Sequence, residues 1–316
     1  MAKEARKISR KAAAPKAPKK RSAPVKPQGN VDQATVQAFS DQWTRFERSI
    51  REREEDNKRI FDRFFFHFPW KKLPAKAKGF EIGCGRGRFL KYVAPNVGRI
   101  DAVDPSPVAI KQAKKFNPDL KNVKYFQEST GALSLKKGTY DFGYSFGVLM
   151  CVPDTQAAIT ECVDLLKPGA PFCLYMYYNL DGRPAWYRGL WRASDVLRRI
   201  ICRLPKGPGF FITNMIAALV YWPLARGAAL AEKFGKNVHD WPLSDYRHSA
   251  FARMRGTSRD RFGTPLEKRF SRAEMTEMME KAGFENIKYY DGPPYWCMFG
   301  IKRPALSVVE DSRAKK

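Results

Sequence analysis

The run Phe80-Glu81-Ile82-Gly83-Cys84-Gly85-Arg86-Gly87-Arg88, followed by Asp104, constrains this chain more than any other stretch. It reads as a short buried strand, a glycine-packed turn and a helix start, with a carboxylate at the end of the next strand. Glycine lacks a Cβ, so the backbone can turn sharply and come close to a ligand. The N–H groups of the helix that follows are expected to face an anionic or polar ligand group. Asp104 lies 104 − 83 = 21 residues beyond Gly83, at the end of segment 97–103. That spacing suits a carboxylate holding two ribose hydroxyls across a βαβ unit. A nucleoside-bearing cofactor is the direct inference.

The dinucleotide fingerprint would need its third glycine at position 88, where this chain has Arg88. A G-x-x-x-x-G-K-[ST] loop for nucleoside triphosphates is absent from the sequence. Downstream, Tyr140-Asp141-Phe142-Gly143-Tyr144-Ser145-Phe146-Gly147-Val148-Leu149 reads as a strand with its exit loop. Pro153-Asp154 then opens a helix with Asp154 as N-cap, and Ala158, Ile159, Cys162, Val163 and Leu166 fall on one face. Lys167-Pro168-Gly169 stops it before the strand Ala170-Pro171-Phe172-Cys173-Leu174-Tyr175-Met176-Tyr177. This succession, together with Glu-x-Gly-x-Gly-x-Gly at 81–87, resembles the class I S-adenosylmethionine-dependent methyltransferases. Within them it is similar to the small-molecule branch that holds the ubiquinone and menaquinone C-methyltransferases.

The resemblance implies an α/β fold: a Rossmann-like, seven-stranded, mostly parallel sheet with an antiparallel last strand. It carries a helical N-terminal lead-in and a largely helical insertion between strand five and the last helix. The expected organisation is a disordered basic tail (1–30), a helical cap (31–76), the S-adenosylmethionine-binding core (77–180), a substrate lid (181–270), the C-terminal part of the core (271–303) and a tail (304–316). Ser106-Pro107 starts a helix after Asp104, and Ser271-Arg272-Ala273-Glu274 forms a capping box for a helix that Gly283 ends. Segments 286–290 and 295–301 read as the closing antiparallel pair, and Asp291-Gly292-Pro293-Pro294-Tyr295 as a turn.

The same resemblance carries over site roles. Glu81 and the Gly83, Cys84, Gly85 and Gly87 loop hold the methionine portion, Asp104 the ribose hydroxyls, and Pro105 packs on the adenine. Ser145, Phe146 and Gly147 lie beside the methyl group. Relatives have an acid after strand three to contact the adenine amino group, where this chain has Ser129 between Glu128 and Thr130; backbone groups or Glu128 would serve instead. Relatives also carry His-His where this chain has Met150-Cys151. Candidate bases are therefore sought in the insertion: His239, His248 and Tyr246. Trp43, Arg45 and Phe46 of the lead-in are expected near cofactor or substrate.

The formal net charge is +26 over 316 residues. Residues 1–30 supply ten Lys/Arg against Glu4 alone, a balance of +9 in an Ala- and Pro-rich stretch with no apolar run. Such a stretch cannot bury a core and is not a secretory signal. Six cysteines without a C-x-x-C pair read as reduced thiols of a cytoplasmic protein, and three histidines without ligand spacing predict no metal. Within the insertion, an arginine-rich stretch precedes the mostly apolar run 210–224, which reads as a buried lid helix or as an interfacial segment beside anionic lipid.

The leading function is methyl transfer from S-adenosyl-L-methionine to a small or lipid-linked acceptor, at oxygen or carbon. Two alternatives stand beside it. The charge suggests an RNA methyltransferase using the basic arm, against which stands Ser145-Phe146-Gly147 where amino-group enzymes place N/D-P-P-Y/F. Met150-Cys151 suggests a non-catalytic cofactor-binding relative.

Overall fold

The computed structural model describes residues 29–45, 54–239, 241–292 and 297–304. Seven strands make one sheet in the order β3-β2-β1-β4-β5-β7-β6. They are β1 (Lys78–Ile82), β2 (Arg99–Val103), β3 (Val123–Phe126), β4 (Phe142–Phe146), β5 (Pro171–Tyr175), β6 (Phe284–Tyr289) and β7 (Cys297–Lys302). β7 runs antiparallel to both β5 and β6; all other pairings are parallel. β1, β4 and β5 are buried on both faces, so they are near-continuous apolar runs rather than alternating ones.

The crossover helices begin and end as their sequences dictate. In α4 (Pro107–Phe116) the Ser106 hydroxyl accepts from Ala109 N–H at 3.1 Å. In α5 (Thr155–Leu165) Asp154 accepts from Ala157 N–H at 2.9 Å, and the predicted apolar face is buried. In α10 (Arg272–Ala282) both arms of the Ser271/Glu274 capping box are formed, and Gly283 leaves the helix with φ +104. A short α3 (Leu90–Val93) follows the glycine loop.

The lead-in is two helices, α1 (Gln33–Arg45) and α2 (Glu54–Phe64). The aromatic stripe at the end of α2 is packing: Phe64 lies 4.6 Å from the Phe146 ring and Phe65 5.1 Å from that of Tyr144. Parallel bridging of Tyr178 to Phe270 marks where the chain leaves the sheet and returns.

Between those points lie α6 (Ala185–Ile201), α7 (Lys206–Ile216), α8 (Trp222–Lys233) and α9 (Phe251–Gly263). A π turn, Ala217–Tyr221, fuses α7 and α8 into one 28-residue helix. Pro223 explains the turn: its ring would strike a carbonyl one turn back in a regular helix, and the wider turn relieves that. The helices share a small core of Ile201, Tyr221, Ala225, Met254 and Phe262. The run 210–224 is thus helical with only part of its circumference buried: Phe210, Thr213, Ala217 and Tyr221 face inward, while Phe211, Met215 and Leu219 are exposed. Glycine-proline segment 291–295 lies partly outside the described residues.

Candidate functional site

The C-terminal ends of β1, β2 and β4 open into a cavity of about 590 Å³, within the size range of small-molecule sites. The glycine loop forms its floor. Gly83 has φ +75, and a Cβ there would run into Val148; Gly85 has φ +52 and faces the Trp43 ring, which a Cβ would meet at 3.4 Å. The loop itself is not an anion cradle. Its N–H groups are engaged internally: Gly83 and Cys84 donate to the Val103 carbonyl (2.8 and 2.9 Å), Gly87 to that of Cys84 (2.8 Å) and Gly85 to Asp104 Oδ2 (2.9 Å). What the loop organises is a carboxylate. Ser106 N–H donates to Asp104 Oδ1 at 2.9 Å, so both oxygens are fixed and each keeps a lone pair for a ligand hydroxyl.

Two desolvated acids face the cavity. Burial pushes Glu81 from the ordinary 4.5 up to about 8, against the Tyr144 hydroxyl, which donates to Oε2 at 3.1 Å, and the charge of Arg88. Burial likewise raises Asp104 to about 6, against its two backbone donors. A carboxylate held this way favours a ligand that brings a positive charge or hydroxyl donors. The pair therefore fits a cofactor with an ammonium group and a ribose, on the donor chemistry alone.

Arg88 projects into the cavity, stacked on the Phe89 ring at 4.4 Å. Among the described residues no acid lies within ion-pair distance of it; the surrounding walls lower its pKa, while Asp260 and Glu81 oppose this from further away. Tyr175 and Tyr177 line the same side as Arg253 and Asp260 of α9. Tyr246 and His248 stand at the rim. Burial raises Tyr246, so it is poorly suited to act as a phenolate base. His248 Nε2 lies 2.8 Å from Glu232 Oε2 of α8, which orients its ring.

α1 roofs the glycine-loop end of the cavity. Ser40 Oγ meets Ser106 Oγ at 2.7 Å and Gln112 Nε2 donates to the Trp43 carbonyl at 3.1 Å, tying α1 to the sheet side. Gln42 Nε2 donates to Asp260, Lys206 pairs with Asp41 at 2.8 Å, and Leu266 N–H donates to Thr35 Oγ1 at 3.1 Å, tying the same helix to the insertion.

Of the residues expected at the site, Glu81, Gly83, Cys84, Gly85, Asp104, Pro105, Glu128, Ser129, Thr130, Phe146, Gly147, Tyr246, His248 and Trp43 line this one cavity. Four expectations need correction, and Glu128, though at the cavity, has its carboxylate engaged elsewhere. Ser145 is fully buried between strands, its hydroxyl donating to the Ile82 carbonyl at 2.9 Å. Gly87 faces α4, where Asn117 Nδ2 donates to its carbonyl at 3.2 Å. His239 is exposed and lines a separate shallow cleft. Arg45 stacks on Phe210 at 4.5 Å rather than facing the cavity. The Glu128 carboxylate is held by Ser134 N–H (2.8 Å) and Oγ (2.6 Å). Phe46 lies outside the described residues. Sequence reasoning missed Arg88, although a basic residue in place of the third dinucleotide glycine was a visible signal, and missed Asp260, which no local pattern marks.

The chain matches the methyltransferase domain family over residues 80–174. It is similar to a ubiquinone biosynthesis O-methyltransferase of Xanthomonas axonopodis pv. citri, 28% identical over 171 residues that cover 53% of this chain and 69% of that one. A protein of the same description from Pectobacterium carotovorum subsp. carotovorum is 26% identical over 176 residues, covering 54% and 69%. Among solved structures, a putative methyltransferase in complex with the Haloferax volcanii Trm112 activator is 13% identical with a TM-score of 0.46, covering 84% and 97%.

Proposed function

We propose that this chain, which matches the methyltransferase domain family over residues 80–174, is a class I S-adenosylmethionine-dependent methyltransferase that binds S-adenosyl-L-methionine in the cavity and methylates a small or lipid-linked acceptor at oxygen or carbon. The observation that carries this reading is the single cavity whose floor is the Glu81/Asp104 glycine loop and whose far wall is the insertion. When bound, the cofactor supplies an activated methyl group on a sulfonium, so the protein's work is positioning, exclusion of water and proton removal.

In this reading Asp104 accepts from the ribose hydroxyls. Glu81, ionised by its ligand, faces the ammonium of the methionine portion. Phe146 and Gly147 border the path between cofactor and acceptor, and Tyr175 and Tyr177 shape that path. Arg88, with no acid beside it, receives an electron-rich or anionic part of the acceptor, raising acceptor nucleophilicity by stabilising its deprotonated form. His248, oriented by Glu232, takes the acceptor proton where one must leave. The ubiquinone-pathway names of the relatives favour an acceptor with a phenolic or lipid-linked character. The protein would then act on the cytoplasmic side, in peripheral contact with a membrane.

The test is transfer of labelled methyl from S-adenosyl-L-methionine into a host-cell extract separated into lipid, polar small-molecule, RNA and protein fractions. Label in the lipid or small-molecule fraction is expected. Label confined to RNA would overturn the acceptor class, and no label with no cofactor binding in calorimetry would overturn the enzyme reading.

A further inference from the structure

We propose that the exposed side of α6 and of the fused α7–α8 helix is a docking surface for a bilayer bearing anionic phospholipid. Of the fifteen large apolar side chains exposed among the described residues, fourteen lie between positions 186 and 241. Scattered exposed apolar residues are ordinary, but a concentration on one substructure marks a binding face.

The spacing shows how α6 is built. Trp186, Leu190, Leu197 and Ile200 are exposed and recur every three or four residues or a multiple, which is one helical stripe. Arg188, Arg192, Arg199 and Arg203 make a second exposed stripe. At about 100° per residue the buried, apolar and arginine stripes each take roughly a third of the circumference. The buried third, with Arg198 and Ile201, rests against α9 and the loop after it: Arg198 Nη1 donates to the Thr264 carbonyl at 2.8 Å. Arginine beside an apolar stripe matches a surface whose headgroups are negative and whose interior is hydrocarbon.

The fused helix repeats the pattern. Residues 207–225 contain no charged side chain, and Phe211, Met215, Leu219 and Trp222 are exposed at spacings of four, four and three. Its length and composition would allow it to cross a membrane. Its packing argues for lying in the interface instead. Tyr221 and Ala225 belong to the core shared with α9, the Ser258 hydroxyl donates to the Thr213 carbonyl at 2.8 Å, and Arg255 donates to Asn214 Oδ1 at 3.0 Å. Arg226 donates to the carbonyls of Arg247 (2.8 Å) and Ser249 (3.0 Å). Crossing would break all of these, whereas lying flat breaks none. Both helices rest their inner sides on α9, so both apolar stripes face away from it.

The arginine stripe selects an anionic bilayer over a second copy of this chain, because two copies apposed on this face would bring two arginine rows together. The inference does not rest on the chemistry of the cavity, and its test needs no methyl donor. Full-length protein is sedimented with vesicles of phosphatidylcholine alone or mixed with phosphatidylglycerol, at low salt and at about 1 M salt, where the screening length is ~3 Å. The high-salt arm removes attraction by the basic 1–30 segment. Expected is pelleting with mixed vesicles that persists in part at high salt, and at least about tenfold weaker partition for Phe211→Glu/Leu219→Glu.

Arg188→Glu/Arg192→Glu, on the other stripe, should keep the high-salt binding and lose the preference for phosphatidylglycerol. Absence of vesicle binding overturns the proposal, as does binding that high salt abolishes and the Phe211→Glu/Leu219→Glu variant retains. A dimer in light scattering that this variant dissociates would assign the face to a second copy and also overturn it. Unchanged circular dichroism of the variants keeps a folding defect apart from lost docking.

Discussion

Replacing Glu81 with Gln should make the ligand-free protein more stable, and increasingly so as pH rises. Glu81 is 3% exposed, and burial moves it from the ordinary 4.5 to about 8. An acid whose pKa is raised on folding contributes stability that is fully present below its unfolded value and is lost as pH climbs through its folded value. The window is therefore pH 4.5 to 8. At 1.36 kcal/mol per pKa unit the ceiling is about 5 kcal/mol; water in the cavity lowers it, so about 2–4 kcal/mol is expected at pH 8.

Gln keeps the shape and still accepts from the Tyr144 hydroxyl, so the comparison isolates the charge. Urea unfolding of both proteins at stepped pH measures it: the curves should coincide near pH 4.5 and diverge toward pH 8. The same variant should bind S-adenosyl-L-methionine at least tenfold more weakly, since an ionic partner is lost. A stability difference that stays flat from pH 5 to 8 would show that Glu81 is not held desolvated, and the account of the cavity as a waiting cation site would fall.

Asp104→Ala should weaken cofactor binding by more than tenfold in calorimetry, a charge-assisted hydrogen bond being worth about 1.5–3 kcal/mol; unchanged affinity would mean the ribose lies elsewhere. Gln42→Ala cuts a tie between α1 and Asp260. It should speed cofactor release about tenfold in stopped flow with little change in unfolding, and an unaltered release rate would deny α1 its covering role. Asp195→Ala leaves buried Arg198 without its acid (2.7 Å) and Arg261 without one of two. Because Arg198 keeps two carbonyls, a loss of about 2–3 kcal/mol is expected in urea unfolding, at the lower edge for a broken buried pair.

The sheet was legible because each of its signals is local. Ser106-Pro107, Asp154 and the Ser271/Glu274 box act within one turn of chain, and all three form as their sequences require. Strand burial follows from mostly apolar segments, in which Glu81, Asp101 and Ser145 are the buried polar members. The site was legible where one segment carries it, as at Glu81 and Asp104. Ser145 shows the limit: its place beside the cavity is right in sequence terms, but strand alternation turns its hydroxyl into the sheet. The internal bonding of the loop N–H groups was not legible because their acceptors, Val103 and Asp104, come from a different strand and the residue after it. The insertion was least legible. Its exposed and buried stripes both contain apolar residues, so periodicity alone does not say which stripe meets protein and which meets solvent.

α1 is held on one side to Ser106 through Ser40 and on the other to Asp260 through Gln42, with Trp43 lying across Gly85. In the proposed reading, one helix therefore stands over the glycine loop that would hold the donor and at the same time leans on the wall where the acceptor would sit. A helix that had to lift for either ligand would impose a sequence of events on each cycle. The donor would enter before the helix settled, the acceptor would be committed once it had settled, and the demethylated donor would leave last. At saturating substrate the turnover number would then report how often that helix lifts rather than how fast the methyl group moves.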